Sequence, residues 1–202
     1  MNVTSNGIRY CITVKPEQPE EFSDEVYKSL SDGISEEPAL LPTEPLALQW
    51  SFEGGFAVIA FDENVPVGYT RLHPLLAEEH PSGGWWELGT TLVLESHRSR
   101  GINKAMYELL LPHHKDRNII ATSINLASIA VGEQMDFVGI ARKSLPEEVW
   151  RESCTCPFSK TGCSDGNVNC ALAWQEPQHR RGGKTCFFRV TKETAQRHEL
   201  GT

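Results

Sequence analysis

Apolar positions change period several times along the chain, and each change marks an element. Residues 7–15 (Gly-Ile-Arg-Tyr-Cys-Ile-Thr-Val-Lys) are rich in β-branched and aromatic side chains and read as a first strand, stopped by Pro16 and Pro19. From residue 20 to 34 the apolar Phe22, Val26, Tyr27, Leu30 and Ile34 recur at helical spacing. Glu20, Glu21, Asp24 and Glu25 fill the opening turns, where the positive end of a helix dipole favours them, so a helix is predicted. Pro38, Pro42 and Pro45 make residues 35–48 a loop. Residues 56–61 and 65–72 flank Asp62-Glu63-Asn64 as a β-hairpin, and a polar, Pro- and Gly-bearing loop follows at 73–84.

Residues 86–94 form a long predicted strand. Alternation puts Trp86, Leu88, Thr90, Leu92 and Leu94 on one face and Glu87, Gly89, Thr91 and Val93 on the other. Both faces are largely apolar, as a central strand covered by helices on each side requires. Gly89 marks either a bulge or close packing of a neighbour. A helical stripe then starts at Ile102 (Ala105, Met106, Leu109, Leu110) and ends at Pro112, with His113 and His114 placed to offset its dipole. Residues 118–124 return as strand, 126–135 as helix through Ile129 and Ala130, and 137–141 as strand. Two short strands at 170–175 and 184–190 complete the pattern, and the polar end, 192–202, is expected to fray. This order predicts a single domain over 1–202 of the mixed α/β class: a mostly antiparallel central sheet flanked by helices.

Charge narrows the partners. The 202 residues carry 27 acidic and 19 basic side chains, a net charge of -8, which disfavours nucleic acid held by counterion release. Mild acidity serves solubility first and attraction of a cationic substrate second. No run approaches the roughly 18 apolar residues of a membrane span. The start, Met1-Asn2-Val3-Thr4-Ser5-Asn6, lacks the basic-then-apolar order of a signal peptide, so a cytoplasmic protein, monomer or homodimer, is expected.

The chemistry concentrates after the long strand. A strand running into a loop with Gly101 and then a helix aims successive N–H groups and the helix dipole at one spot, which suits a phosphate. Arg98, Arg100 and Lys104 bracket the turn, and Gly101 removes the Cβ that would obstruct a close ligand. Taken alone, the pattern is equally that of a solvated connection. The tryptophans and His73 and His80 beside the loop before the strand admit two readings, an amine-binding wall or packed indoles with surface histidines.

Arg98-Ser99-Arg100-Gly101-Ile102-Asn103 resembles the Arg/Gln-x-x-Gly-x-Gly/Ala segment of Gcn5-related N-acetyltransferases, matching its first and fourth positions, with Asn103 in place of the small sixth residue. A second family segment is similar to Asn125, Ser128, Val131, Gly132, Asp136 and Phe137 at the expected separation. The resemblance implies an acyl-coenzyme A-binding fold over roughly residues 7–145. It implies that the backbone of Leu92, Val93 and Leu94 pairs with the pantetheine arm and that the amides of Ser99, Arg100, Gly101, Ile102, Asn103 and Lys104 hold the pyrophosphate. Asn125 and Ser128 join the coenzyme-binding set. It also implies acetyl transfer from acetyl-CoA to a primary amine of a small molecule or peptide. Glu87, a lone carboxylate in an apolar strand eleven residues before Arg98, is the candidate base. The family's tyrosine acid is replaced by Gly132, which keeps open a non-catalytic acyl-CoA-binding module as the alternative.

Beyond residue 145 the composition turns to Cys154, Cys156, Cys163, Cys170 and Cys186 among Gly, Asn and Lys. Cys154, Cys156, Cys163 and Cys170 read as a structural zinc site, as free or redox-sensitive thiols, or as disulfides, within a Cys-rich excursion at 154–186. The zinc reading carries a third alternative for function, a zinc-stabilised interaction module.

Overall fold

The computed structural model describes residues 1–153 and 178–200, apart from 15, 18, 38, 39, 124, 182 and 183; for 178–187 it describes the backbone alone. The cysteines at 154, 156, 163 and 170 and the strand expected at 170–175 lie outside the described residues. The chain divides into two compact units, Met1–His73 with Leu88–His114, and Pro74–Glu87 with Lys115–Thr202.

In the first unit, strands β1 (Asn2–Ser5) and β2 (Ile8–Ile12) pair antiparallel across Asn6-Gly7. Both turn residues have positive φ, 52° and 76°, the twist that a two-residue hairpin turn demands. The strand expected at 7–15 is therefore shorter, and a hairpin partner precedes it. β2 pairs antiparallel with β3 (Ala57–Asp62), and β3 with β4 (Val65–Leu76), which is the predicted hairpin. Strand β5 (Trp85–Val93) continues into Leu94, whose N–H donates to the Val67 carbonyl at 2.9 Å.

Helix α1 (Asp24–Glu36) buries Tyr27, Leu30 and Ile34, three of the five positions picked out by spacing. They share a core with Ile59, Phe61, Tyr69 and Leu92, completed by Leu48 and Phe52 of helix α2 (Pro45–Glu53). The expected loop at 35–48 is thus corrected: a helix begins at Pro45. Proline needs no N–H in a first turn, and its fixed φ suits helix entry. Tyr69 fixes this helix by donating its hydroxyl to the Leu48 carbonyl at 3.1 Å.

Helix α3 (Ile102–Leu110) lies close to the sheet because Gly68 has no side chain. A Cβ at Gly68 would stand 3.2 Å from Ile102 Cγ2, 3.3 Å from Ala60 Cβ and 3.4 Å from the Leu92 carbonyl. Gly68→Val should therefore push α3 outward. A loss of about 1–3 kcal/mol in denaturant unfolding is expected, and an unchanged midpoint would show that the helix has room to spare. After α3, His113 and His114 close the short 3₁₀ segment Leu111–His114, as the sequence suggests, and His114 also packs inward. It is buried, its Nε2 lies 2.9 Å from the Gly55 carbonyl, and its ring stacks on Phe56.

In the second unit, the start of β5 pairs parallel with β6 (Asn118–Ser123), which pairs antiparallel with β9 (Lys184–Thr191); β7 (Phe137–Gly139) and β8 (Gln178–Arg181) also pair with β9. Trp85, Ile120, Leu145, Val149, Phe188 and Val190 form its core. Helices α4 (Leu126–Gln134), α5 (Glu147–Ser153) and α6 (Lys192–Arg197) belong to it. The end expected to fray is a helix instead. Thr191 caps α6, and the buried Thr194 hydroxyl accepts the Ile119 N–H at 2.9 Å, which satisfies two otherwise orphaned amides. The class is the expected one: mixed α/β, with mostly antiparallel pairing and flanking helices.

Candidate active site

Within the first unit, β5 feeds the turn that the sequence singled out. A short 3₁₀ segment, Glu95–His97, precedes Arg98, and Ser99 and Gly101 both adopt left-handed φ, 63° and 76°. Gly101 is the N-cap of α3 and offers no side chain to its amides. The first helical bond runs from Ala105 N–H to the Gly101 carbonyl, so the N–H groups of Ile102, Asn103 and Lys104 precede any intrahelical acceptor. Left-handed residues on either side of Arg100 turn successive amides in one direction, the geometry of an anion nest. A Cβ built on Gly101 would meet nothing within 4 Å, so space stands open beside these amides.

The basic side chains are engaged differently from the sequence expectation. Arg98 donates to Glu37 at 2.6 Å and to the Val93 carbonyl at 3.1 Å, and Arg100 donates to Asp62 at 3.3 Å. His97 Nε2 lies 3.0 Å from the same Asp62 oxygen, and Lys104 pairs with Glu108 at 3.8 Å. Arg98 thus pins the turn to the end of α1, and His97 and Arg100 pin it to the end of β3, which leaves anion recognition first to the backbone. Hydrogen bonds from His97 and then Arg100 hold the Asp62 carboxyl below its ordinary range. The pin is therefore complete above the unfolded value of about 3.9 and is lost as pH falls through the lower folded value. Asp62→Asn should accordingly flatten the fall of Tm between about pH 5 and pH 3; an identical slope would mean that the pin contributes nothing.

Upstream, the strand is kinked at Thr90, beside the Gly89 for which the sequence offers either a bulge or close packing. Thr90 has φ 50°, a left-handed conformation that costs a β-branched residue about 1–3 kcal/mol. A left-handed residue within the strand interrupts the simple alternation of faces expected for 86–94. Leu92 and Leu94 turn their side chains toward Gly33 of α1, and the Leu94 backbone is engaged within the protein, its N–H by the Val67 carbonyl and its carbonyl by the His97 N–H at 2.8 Å. Thr91 faces α3, where its hydroxyl lies 3.2 Å from that of buried Tyr107. Burial raises the Tyr107 pKa, against the pull of its hydrogen bonds with Thr91 and Asn103. Asn103, the departure at the sixth motif position, thus directs its side chain to Tyr107.

In the second unit, Glu87 is 6% exposed and accepts a hydrogen bond from the Thr122 hydroxyl at 2.7 Å. It occupies the last paired position of the β5–β6 ladder, opposite Ile120, and among the described residues no parallel pair follows it along β5. Thr122 escapes a reading of the sequence, because nothing in a lone strand threonine signals a carboxylate across the ladder. Asn125 and Ser128 are brought together as the start of α4: the Asn125 side chain accepts from Ala127 N–H at 2.9 Å and from Ser128 N–H at 3.5 Å. Gly132 packs near Phe137 and supplies no hydroxyl. Asp136 stands where the resembling family has glycine and keeps the left-handed turn, φ 59°, a conformation aspartate tolerates.

The tryptophans take the packing role. Trp85 is buried and donates to the Ser82 carbonyl at 3.0 Å; Trp86 donates to Glu78 at 3.2 Å beneath the Arg117 guanidinium. His80 accepts the Ser82 N–H at 3.1 Å in the local turn. Among the described residues no group of three His, Cys, Asp or Glu could hold a metal, and no helix is long and apolar enough to cross a membrane. Cys11 is buried with its thiol pushed up to about 12, mainly by that burial, and is chemically quiet.

Comparison with known proteins adds to this geometry. The family model described as Acetyltransferase (GNAT) family matches residues 22–137, more than half of the chain. No curated protein matches. Among the solved structures that share the fold are the following three. One is the NatC complex bound to Gag peptide and CoA, at 14% identity over 91% of this chain and 97% of that one, with a TM-score of 0.55. Another is the diaminobutyrate acetyltransferase EctA from Paenibacillus lautus with L-2,4-diaminobutyric acid and coenzyme A, at 18% over 92% and 95%, TM-score 0.52. The third is Arabidopsis thaliana NAA60 with a bisubstrate analogue, at 14% over 91% and 96%, TM-score 0.53.

Proposed function

This chain belongs to the acetyltransferase (GNAT) family, and from that premise we propose that it transfers an acetyl group from acetyl-CoA to a primary amine of a small molecule or a peptide. The observation that carries the reading is the turn before α3, with left-handed Ser99 and Gly101 and open space at the glycine Cβ position. Its amides, from Ser99 to Lys104, bind the pyrophosphate, aided by the positive end of the helix. The backbone at Leu92 and Val93 pairs with the amide-rich pantetheine arm as an added strand would, while the Leu94 backbone stays bonded to Val67 and His97. Asn125 and Ser128 support the coenzyme by shaping the start of α4.

The amine attacks the thioester carbonyl carbon, the C–S bond breaks, and the thiolate leaves. Glu87, oriented by Thr122, takes the proton that the amine must shed, directly or through a water. With Gly132 at the usual donor position, solvent supplies the thiol proton, which suffices because a thiolate is a good leaving group. The solved relatives with a peptide or a diamino acid bound support an amine as the acceptor class.

Gly132 also favours a second reading, a domain that binds acyl-CoA without turnover. Thiol release from acetyl-CoA, measured over a panel of small amines and peptides with free N-termini or lysines, separates the two. Amine-dependent release supports transfer; tight coenzyme binding with release no faster than the blank supports the module.

A further inference from the structure

We propose that Arg71 is a positioning residue for the pantetheine arm of the coenzyme, acting by holding Thr90 in its strained conformation. The inference rests on the coenzyme-binding reading above and concerns residues of the first unit alone. Thr90 is a β-branched residue at φ 50° in the middle of β5, a conformation it adopts only if its surroundings hold it there. Arg71 Nε donates to the Thr90 hydroxyl at 3.3 Å. The same guanidinium is fixed by α2, its Nη1 lying 3.4 Å from both the Ala47 carbonyl and the Ser51 hydroxyl. On the next residue the tie repeats: the Thr70 hydroxyl lies 2.8 Å from that of Thr91, which in turn meets Tyr107.

Neighbouring strand residues point to opposite faces, so residues 70 and 71 of β4 hold residues 91 and 90 of β5 from both sides. The kink matters through the residues downstream of it. If Thr90 relaxed to an extended conformation, their amide and carbonyl groups would turn with it, and a one-residue change in a strand reverses their directions. Leu92 and Val93 would then present the wrong groups to the pantetheine arm. Arg71 therefore ties the register of the coenzyme-facing edge to α2, two elements that share no side-chain chemistry legible in the sequence.

Calorimetry with acetyl-CoA on the full chain tests this. Arg71→Met should weaken affinity about tenfold, the worth of one or two misplaced hydrogen bonds. Adding Thr90→Gly, which makes φ 50° strain-free, should restore affinity to within about threefold of the parent. If Arg71 only ties α2 to the sheet, Arg71→Met lowers Tm with the affinity of the folded protein unchanged, or the double variant binds no better than the single one. Either result overturns the inference. Thiol release by the parent judges the functional reading separately, and a parent that binds no acetyl-CoA removes both.

Discussion

Gly101→Val is expected to weaken acetyl-CoA binding by a hundredfold or more, about 3 kcal/mol or above. Two costs combine. Valine at φ 76° is strained by about 1–2 kcal/mol in the free protein, because its Cβ crowds the following carbonyl in the left-handed region. The larger cost falls on the complex. The space at the Gly101 Cβ position is open, and under the proposal it is filled by a phosphate oxygen drawn to the amides of residues 99–104. Calorimetry on the folded variant separates the terms, since strain alone lowers Tm and leaves the affinity of folded molecules near that of the parent. Unchanged affinity would remove this turn from the coenzyme site.

Glu87→Gln should lower turnover by about two to four powers of ten at neutral pH while acetyl-CoA affinity stays near that of the parent. Glutamine keeps the size and can still accept the Thr122 hydroxyl, so the second unit loses little packing. What it lacks is the ability to take a proton from the attacking amine. Part of the loss should therefore return as pH rises toward the amine's own pKa, where the free base forms without help. A variant that is less stable to heat but turns over normally at every pH would make Glu87 a buried structural carboxylate.

Much of this fold is legible in the sequence because burial and period coincide. Tyr27, Leu30 and Ile34 announce a helix with one buried face, and they form it. Gly101 announces a turn that only glycine enters freely. The departures have local physical causes. Pro45 reads as a loop residue beside Pro38 and Pro42, although a proline at the start of a helix costs no hydrogen bond. Asn6-Gly7 is a hairpin signal hidden by the polar residues before it, which resemble a loose end more than a strand. The polar run after Thr191 hides a helix whose stability comes from the buried hydroxyls of Thr191 and Thr194, and hydroxyls leave no apolar stripe.

The site is half legible for a similar reason. Asn125 enters only through the family resemblance, whereas residue type and spacing single out the turn and Glu87 as candidates. They do not indicate that Arg98 and Arg100 are engaged by Glu37 and Asp62, because those carboxylates are 61 and 38 residues away in the chain. Nor does alternation reveal the kink, since threonine at positive φ is rare and only cross-strand partners such as Arg71 make it tenable.

Amide hydrogen exchange on the full chain, with and without saturating acetyl-CoA, tests the central claim most directly. The account predicts slowed exchange centred on Leu92 and Val93 and on the amides of residues 99–104, because N–H groups there that lack a partner within the protein pass from solvent to the pantetheine and pyrophosphate acceptors, whereas the Leu94 N–H already donates to the Val67 carbonyl. Protection confined to other segments, or no protection at a concentration where calorimetry shows binding, would contradict it.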